Sequence, residues 1–229
     1  MVTLPTSEGV SPPAPALMKQ KVCLIGGRGV GKTSLIRRFV TGVFNEKYVS
    51  TLGVCVVKKV VHLWGPEGFP VQVDMMIMDV MGQRPFLDTF REAYFSGTKG
   101  VLAVFDLTRR MSLRDLGPWL LAVKKNAGPI PVLALANKAD RTDFIEIQEE
   151  DIEAVLGPLD IRVLRTSAKT GENVEQAFVG LARKVVEESR DVAVPPHAPR
   201  ESGGEHDSTK PTRSPVLDSG QRNEPDRGS

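Results

Sequence analysis

Apolar positions in this chain follow two rhythms. Continuous apolar runs at Lys21–Ile25, Gly100–Leu107, Pro131–Ala136 and Ile161–Leu164 predict strands buried on both faces. Spacings of three and four residues predict helices: Lys32–Thr41 with Leu35, Ile36 and Phe39 inward, closed by Gly42. Leu113, Leu116, Trp119, Leu120 and Val123 mark a second helix, whose early turns Gly117-Pro118 should delay or kink. Pro85–Phe95 and Glu149–Leu156 are further candidates, and Val174, Ala177, Phe178, Leu181, Ala182 and Val185 form one face of a last helix. The valine-rich stretch Gly53–Leu63 and the alternating stretch Val71–Val80 are joined through Gly65-Pro66-Glu67-Gly68, which predicts an antiparallel hairpin.

Strands that alternate with helices in this way imply an α/β fold. The expectation is a six-stranded, mostly parallel sheet with one antiparallel strand and helices on both faces. Ligands of such sheets sit at the carboxyl ends of the strands. The ends of the chain read differently. Residues 1–18 are rich in Pro, Ser and Thr, and residues 191–229 contain no aromatic residue and few apolar ones, so both read as disordered segments flanking a domain over 19–190.

With 229 residues, 41% of them hydrophobic and 25% charged, the chain suffices for one ordinary domain plus unstructured length. A net charge of +2 from balanced acids and bases argues against a nucleic-acid footprint or a cationic membrane face. No apolar run approaches the ~20 residues that span a bilayer. Val2 stands where myristoylation needs glycine, and the last residues offer no cysteine for prenylation, so the expectation is a soluble, cytoplasmic monomer without a lipid anchor. Cys23 and Cys55 both fall in predicted strands outside any C-x-x-C arrangement, and read as reduced core thiols rather than a disulfide.

Composition leaves the chemistry open; the motifs do not. Gly26-Gly27-Arg28-Gly29-Val30-Gly31-Lys32-Thr33 satisfies G-x-x-x-x-G-K-[ST] between a predicted strand and a predicted helix. A loop that wraps a polyphosphate with its own amides needs left-handed backbone and close approach, which glycine allows. Gly29, Val30, Gly31, Lys32, Thr33 and Ser34 are the candidate phosphate contacts, with Lys32 reaching the β- and γ-phosphates and the Thr33 hydroxyl on Mg²⁺. The plain alternative is a glycine turn between strand and helix. Downstream, Asp79-Val-Met-Gly82-Gln83 follows an apolar strand and offers a carboxylate for Mg²⁺ opposite Thr33. Asn137-Lys138-Ala139-Asp140 and Thr166-Ser167-Ala168-Lys169 follow two other strands. Singly, each is a polar turn or a helix start; in this order behind a phosphate loop they select a nucleotide site.

Over Lys19 to about Glu188 these motifs resemble the Ras superfamily of small GTPases, and most closely its Rab-like branch. The resemblance implies a phosphate-loop NTPase fold, bound GTP or GDP, Mg²⁺, and GTP hydrolysis that cycles a molecular switch. It implies that Thr51 joins Thr33 and Asp79 at the metal, that Gln83 beside Gly82 orients the attacking water, and that Phe44 packs across the guanine. The alternative for Phe44 is an aromatic tucked onto the core. It further implies that Asn137 binds the base, Lys138 lies along its plane, and the backbone of Ala168 in Ser167-Ala168-Lys169 donates to the guanine carbonyl. Effector proteins, an exchange factor and an activating protein are the implied partners.

Base choice also follows from chemistry. A carboxylate at Asp140 accepts two parallel N–H bonds from guanine, whereas adenine would leave it unpaired at a cost of about 1–3 kcal/mol. That disfavours an ATP-dependent kinase. Three residues depart from the family pattern: Arg28 replaces a small residue, Met81 the usual alanine, and Arg84 the usual glutamate. Arg84 places ordinary exchange-factor chemistry in question. Arg28 stands beside the expected position of Gln83 and the water. It either crowds them, brings its own guanidinium to the developing charge, or points into solvent. A GTP-binding scaffold with negligible hydrolysis is therefore the alternative to a hydrolytic switch.

Overall fold

The first strand is longer than its apolar run. In the computed structural model, which describes residues 14–44, 54–65, 68–80 and 92–189, β1 spans Ala16–Ile25. Its first half alternates, with Leu17 and Lys19 exposed and Gln20 buried, before Val22-Cys23-Leu24-Ile25 runs wholly buried. Alternation marks a strand with one covered face, and continuity one with two. The strand thus enters the molecule at its rim and ends at its centre.

The other elements follow in order: α1 (Lys32–Thr41), β2 (Val54–Trp64), β3 (Pro70–Val80), β4 (Thr98–Asp106), α2 (Met111–Arg114), α3 (Leu116–Ala127), β5 (Val132–Asn137), α4 (Glu149–Leu156), β6 (Arg162–Arg165) and α5 (Val174–Glu188). Short 3₁₀ turns at Thr142–Phe144 and Gly157–Leu159 had no sequence signal that the periodicities could carry. The six strands order as β2-β3-β1-β4-β5-β6, and only β2 runs antiparallel, from Val54↔Val80 to Trp64↔Pro70. The predicted α/β sheet is therefore the one observed. The predicted kink is a break at Asp115 between α2 and α3, with Pro118 in the first turn of α3, where a missing N–H costs nothing. Residues 92–95 are helical, whereas the earlier part of the expected Pro85–Phe95 helix lies outside the described residues.

Helices cover both faces. On one, α1 and α5 pack Leu35, Phe39, Phe178 and Leu181 over Leu24, Met75 and Leu102, with the Phe39 and Phe178 rings stacked at 4.3 Å. On the other, Leu113, Leu116, Trp119, Ile152 and Leu156 pack over Ile25, Ala103 and Phe105. Each such side chain contributes about 1.5–3 kcal/mol by leaving water. These two layers fix the carboxyl ends of β1, β3, β4 and β5 side by side, as the pairings Leu24↔Asp79 and Asp106↔Asn137 show.

Two expectations fail: Ala16, Leu17 and Met18, expected in a disordered lead, open β1, and one of the two cysteines is not a core thiol. Cys23 is buried, its Sγ 3.2 Å from Thr98 Oγ1 and its pKa raised by burial, but Cys55 is exposed. The reason is position: β2 is an edge strand, and Val54, Val56, Val60 and Trp64 on it are exposed as well. Valine-rich composition predicts a strand, not which of its faces is covered. Both thiols are free. No helix among the described residues is long and apolar enough to cross a membrane.

Candidate functional site

The phosphate loop runs from the end of β1 to the start of α1, and two of its glycines are dictated by neighbours. A Cβ on Gly26, at φ 134°, would stand 2.1 Å from the Val104 carbonyl oxygen of β4. A Cβ on Gly31, at φ 104°, would stand 2.2 Å from Asn137 Nδ2. No other residue fits at either place, so the loop lies close against β4 and β5, as a loop that wraps an anion with its backbone must.

Lys32 opens α1 and folds back over the loop, with Nζ donating to the carbonyl oxygens of Gly26 (2.8 Å) and Gly27 (2.9 Å). It is only 6% exposed. Burial lowers its pKa to about 8, with Asp79 opposing the shift and Arg109 adding to it. A phosphate arriving here would stabilise the charged ammonium again. Next in the helix, Thr33 Oγ1 donates to Asp79 Oδ2 at 2.5 Å, while Ser34 follows as the third helical residue. The Arg28 side chain is exposed, and its carbonyl accepts from Arg109 Nη2 at 2.7 Å.

A hydroxyl and a carboxylate that already meet are hard oxygen donors of the kind Mg²⁺ takes from a protein when phosphates and water complete its shell. Among the described residues no cluster of three or more His, Cys, Asp or Glu could hold a metal by itself. The donor set fits a metal shared with a phosphorylated ligand.

The side expected to take the base is built on the last residue of β5. Asn137, 1% exposed, donates from Nδ2 to the Val30 carbonyl at 2.8 Å. Its Oδ1 accepts from the Ala168 N–H at 3.3 Å and from Thr166 Oγ1 at 3.4 Å. One side chain therefore ties the phosphate loop to the Thr166–Lys169 loop. Lys138 adopts φ 65°, and its Nζ lies 2.5 Å from Asp106 Oδ2. Ser167 Oγ donates to Asp140 Oδ1 at 2.5 Å and accepts from the Thr170 N–H at 3.1 Å.

Most of the predicted residues thus converge: Arg28, Gly29, Val30, Gly31, Lys32, Thr33 and Asp79 around one loop, and Asn137, Lys138, Asp140, Ser167 and Ala168 around the other. Lys169 is exposed at the rim. Phe44 is partly buried and packs against the core layer of α1 and α5. Thr51, Met81, Gly82, Gln83 and Arg84 lie outside the described residues. Sequence reasoning missed Asp106, Arg109 and Arg38. Asp106 carries the same signal as Asp79, an aspartate closing an apolar strand; the two arginines have none.

The model of the Ras family matches residues 21–187. Among curated proteins, the chain is 35% identical over 167 residues to "Ras-related protein Rab-13" of Rattus norvegicus, covering 72% of this chain and 79% of that one. It is 34% identical to "Ras-related protein Rab-8B" of Homo sapiens, covering 72% and 78%, and 32% identical to "Ras-related protein Rab-8A" of Gallus gallus, covering 72% and 77%. The chain belongs to the Ras family. It is a GTP-binding GTPase switch of the Rab-like branch, and the fold expected from the resemblance is the one observed. GTP and GDP are the nucleotides of that family, and regulators and effectors are its general partners.

Proposed function

We propose that this Ras-family chain converts Mg²⁺-bound GTP to GDP and phosphate slowly on its own, with the residues above in distinct roles. The supporting observation is Asn137, whose amide joins Val30 of the phosphate loop to Ala168 of the base loop and brings both halves of a guanine-nucleotide site together. In the reaction, water attacks the γ-phosphorus in line while the bond to the β–γ bridging oxygen breaks. Such a reaction needs positioning and electrostatic cover rather than covalent help.

Lys32 exchanges its two loop carbonyls for phosphate oxygens. Thr33 and Asp79, joined by Thr51, would hold Mg²⁺, which would supply positive charge to offset that of the phosphates. Gln83 orients the water beside Gly82. Asp140 selects guanine through paired N–H bonds, Lys138 lies along the ring, Ala168 donates its N–H, and Phe44 covers the other side. Loss of the γ-phosphate releases Thr51 and the Asp79–Gln83 segment, a change that effectors, an exchange factor and an activating protein read.

Arg28 slows the chemical step by crowding Gln83 and any arginine that an activating protein supplies. Single-turnover hydrolysis of bound, labelled GTP tests the reading: a slow rate that requires Mg²⁺ is expected. Tight GTP binding with no turnover in either condition would establish instead a GTP-binding scaffold, the reading that an exposed arginine in the phosphate loop keeps open.

A further inference from the structure

We propose that Arg38 is a positioning residue that holds the two walls of the base pocket together and thereby sets how long a guanine nucleotide stays bound. The inference rests on the base-site reading given above. Arg38 lies in the last turn of α1, half-buried, and its guanidinium meets three carbonyl oxygens at once. Nε donates to Ala168 (2.9 Å), Nη1 to Gly42 (2.7 Å), and Nη2 to Lys169.

These carbonyls belong to different walls. Ala168 and Lys169 form the loop whose N–H at Ala168 already meets Asn137 Oδ1. Gly42 is the left-handed residue that ends α1, its own N–H returning to the Arg38 carbonyl, and the chain leaves it toward Phe44 two residues later. Arg38 therefore holds Gly42 by its backbone and its side chain together. Behind Phe44 stands the core; behind Ala168 stands Asn137. Among the described hydrogen bonds, the guanidinium joins the two walls across 130 residues of sequence.

The choice of side chain is physical. A planar fork fixes the directions of its donors, so three carbonyls satisfied together must keep their mutual geometry, whereas an ammonium on a flexible stem imposes no such constraint. The positive charge also lies against the carbonyl end of α1, where the helix dipole favours it. Loss of the fork frees the Thr166–Lys169 loop to move away from the segment that carries Phe44, and a base held between them escapes sooner.

The test compares Arg38→Ala and Arg38→Lys with Arg37→Ala, an exposed arginine of the same helix, by following release of GDP carrying a fluorescent ribose label. Release about tenfold faster is expected for Arg38→Ala, the equivalent of about 1.4 kcal/mol. Arg38→Lys should recover less than half of that difference on a logarithmic scale, and Arg37→Ala should stay within about twofold of the parent. Hydrolysis of GTP already bound should change by less than about twofold, and the acceleration of release on chelating Mg²⁺ should match the parent, because the clamp touches only the base half. Unchanged release overturns the proposal, as does full recovery by lysine or a loss of hydrolysis in step with release. Should Arg38→Ala fail to fold, Arg38→Lys carries the same comparison. If Asp140→Asn leaves GTP preferred over XTP, the base-site reading itself has failed; a normal Asp140→Asn response with unchanged Arg38→Ala release defeats the clamp alone.

Discussion

In the phosphate half of the site, Lys32 donates to two carbonyls of its own loop and the Thr33 hydroxyl donates to Asp79, so ligand and metal must displace contacts already made. In the candidate base half, Asn137 is joined to the Val30 carbonyl, and Arg38 to the carbonyl oxygens of Ala168 and Gly42, backbone atoms that take no part in the proposed base contacts. On the proposed reading, the frame of the base half is preorganised, with the Ser167–Asp140 contact left to exchange, whereas the phosphate half satisfies itself and is expected to reorganise on binding. Preorganisation removes an ordering cost from affinity, whereas exchangeable contacts suit a segment that must respond to the presence of one phosphate. Arg28, the departure from family pattern within the described residues, sits in the exchangeable half, and the base motifs stand intact. The difference predicts variation in rate rather than in choice of base.

The strongest way to break this comparison is Asp140→Asn. An amide matches the altered edge of xanthine and no longer accepts two guanine N–H groups, so competition titration should show preference moving from GTP toward XTP by about 100-fold or more. Unchanged GTP preference would remove Asp140 from the base site.

Arg28→Gly asks the opposite question of the other half. If Arg28 crowds the attacking water as proposed, removing its long side chain should raise the single-turnover rate by about tenfold, since misplacements near 1 Å can cost ~100-fold, with GTP affinity nearly unchanged. A lower rate would show that Arg28 stabilises the developing charge itself. The smallest effect is expected from Arg109→Ala, which frees the Arg28 carbonyl and takes one cation from beside Lys32. A severalfold change in the same rate, with base selectivity untouched, would confine Arg109 to the phosphate half; a change in GTP-over-XTP preference would merge the two halves into one unit.

How much of this was readable in the sequence divides along the same line. Motif residues are contiguous, so Gly26 to Thr33 and Asn137 to Asp140 can be found without knowing the fold. Arg38 and Arg109 bind carbonyl oxygens 130 and 81 residues away, and a carbonyl has no residue type, so nothing in the sequence marks either arginine as other than a solvated charge. The motif marks Asn137 as a candidate base contact but not its hold on Val30, because that contact depends on β5 lying beside the loop. The start of β1 departs from the sequence expectation for a simpler reason: Leu17, Met18 and Lys19 alternate instead of forming an apolar run. Cys55 reads as core by its neighbours and is exposed because β2 is the sheet's edge.

Lys138 has a further consequence. At φ 65° it occupies backbone space that glycine enters freely and a lysine enters at a cost of order 1 kcal/mol. The ion pair with buried Asp106, 2.5 Å away, holds it there from a neighbouring strand. Mechanically the loop is preloaded, like a latch kept under tension by its catch. Were the Asp106 carboxylate removed, Lys138 would relax toward an ordinary conformation and turn the peptide units on either side of it. Asn137 and Asp140, within two residues of Lys138 along the chain, would then be expected to swing with them.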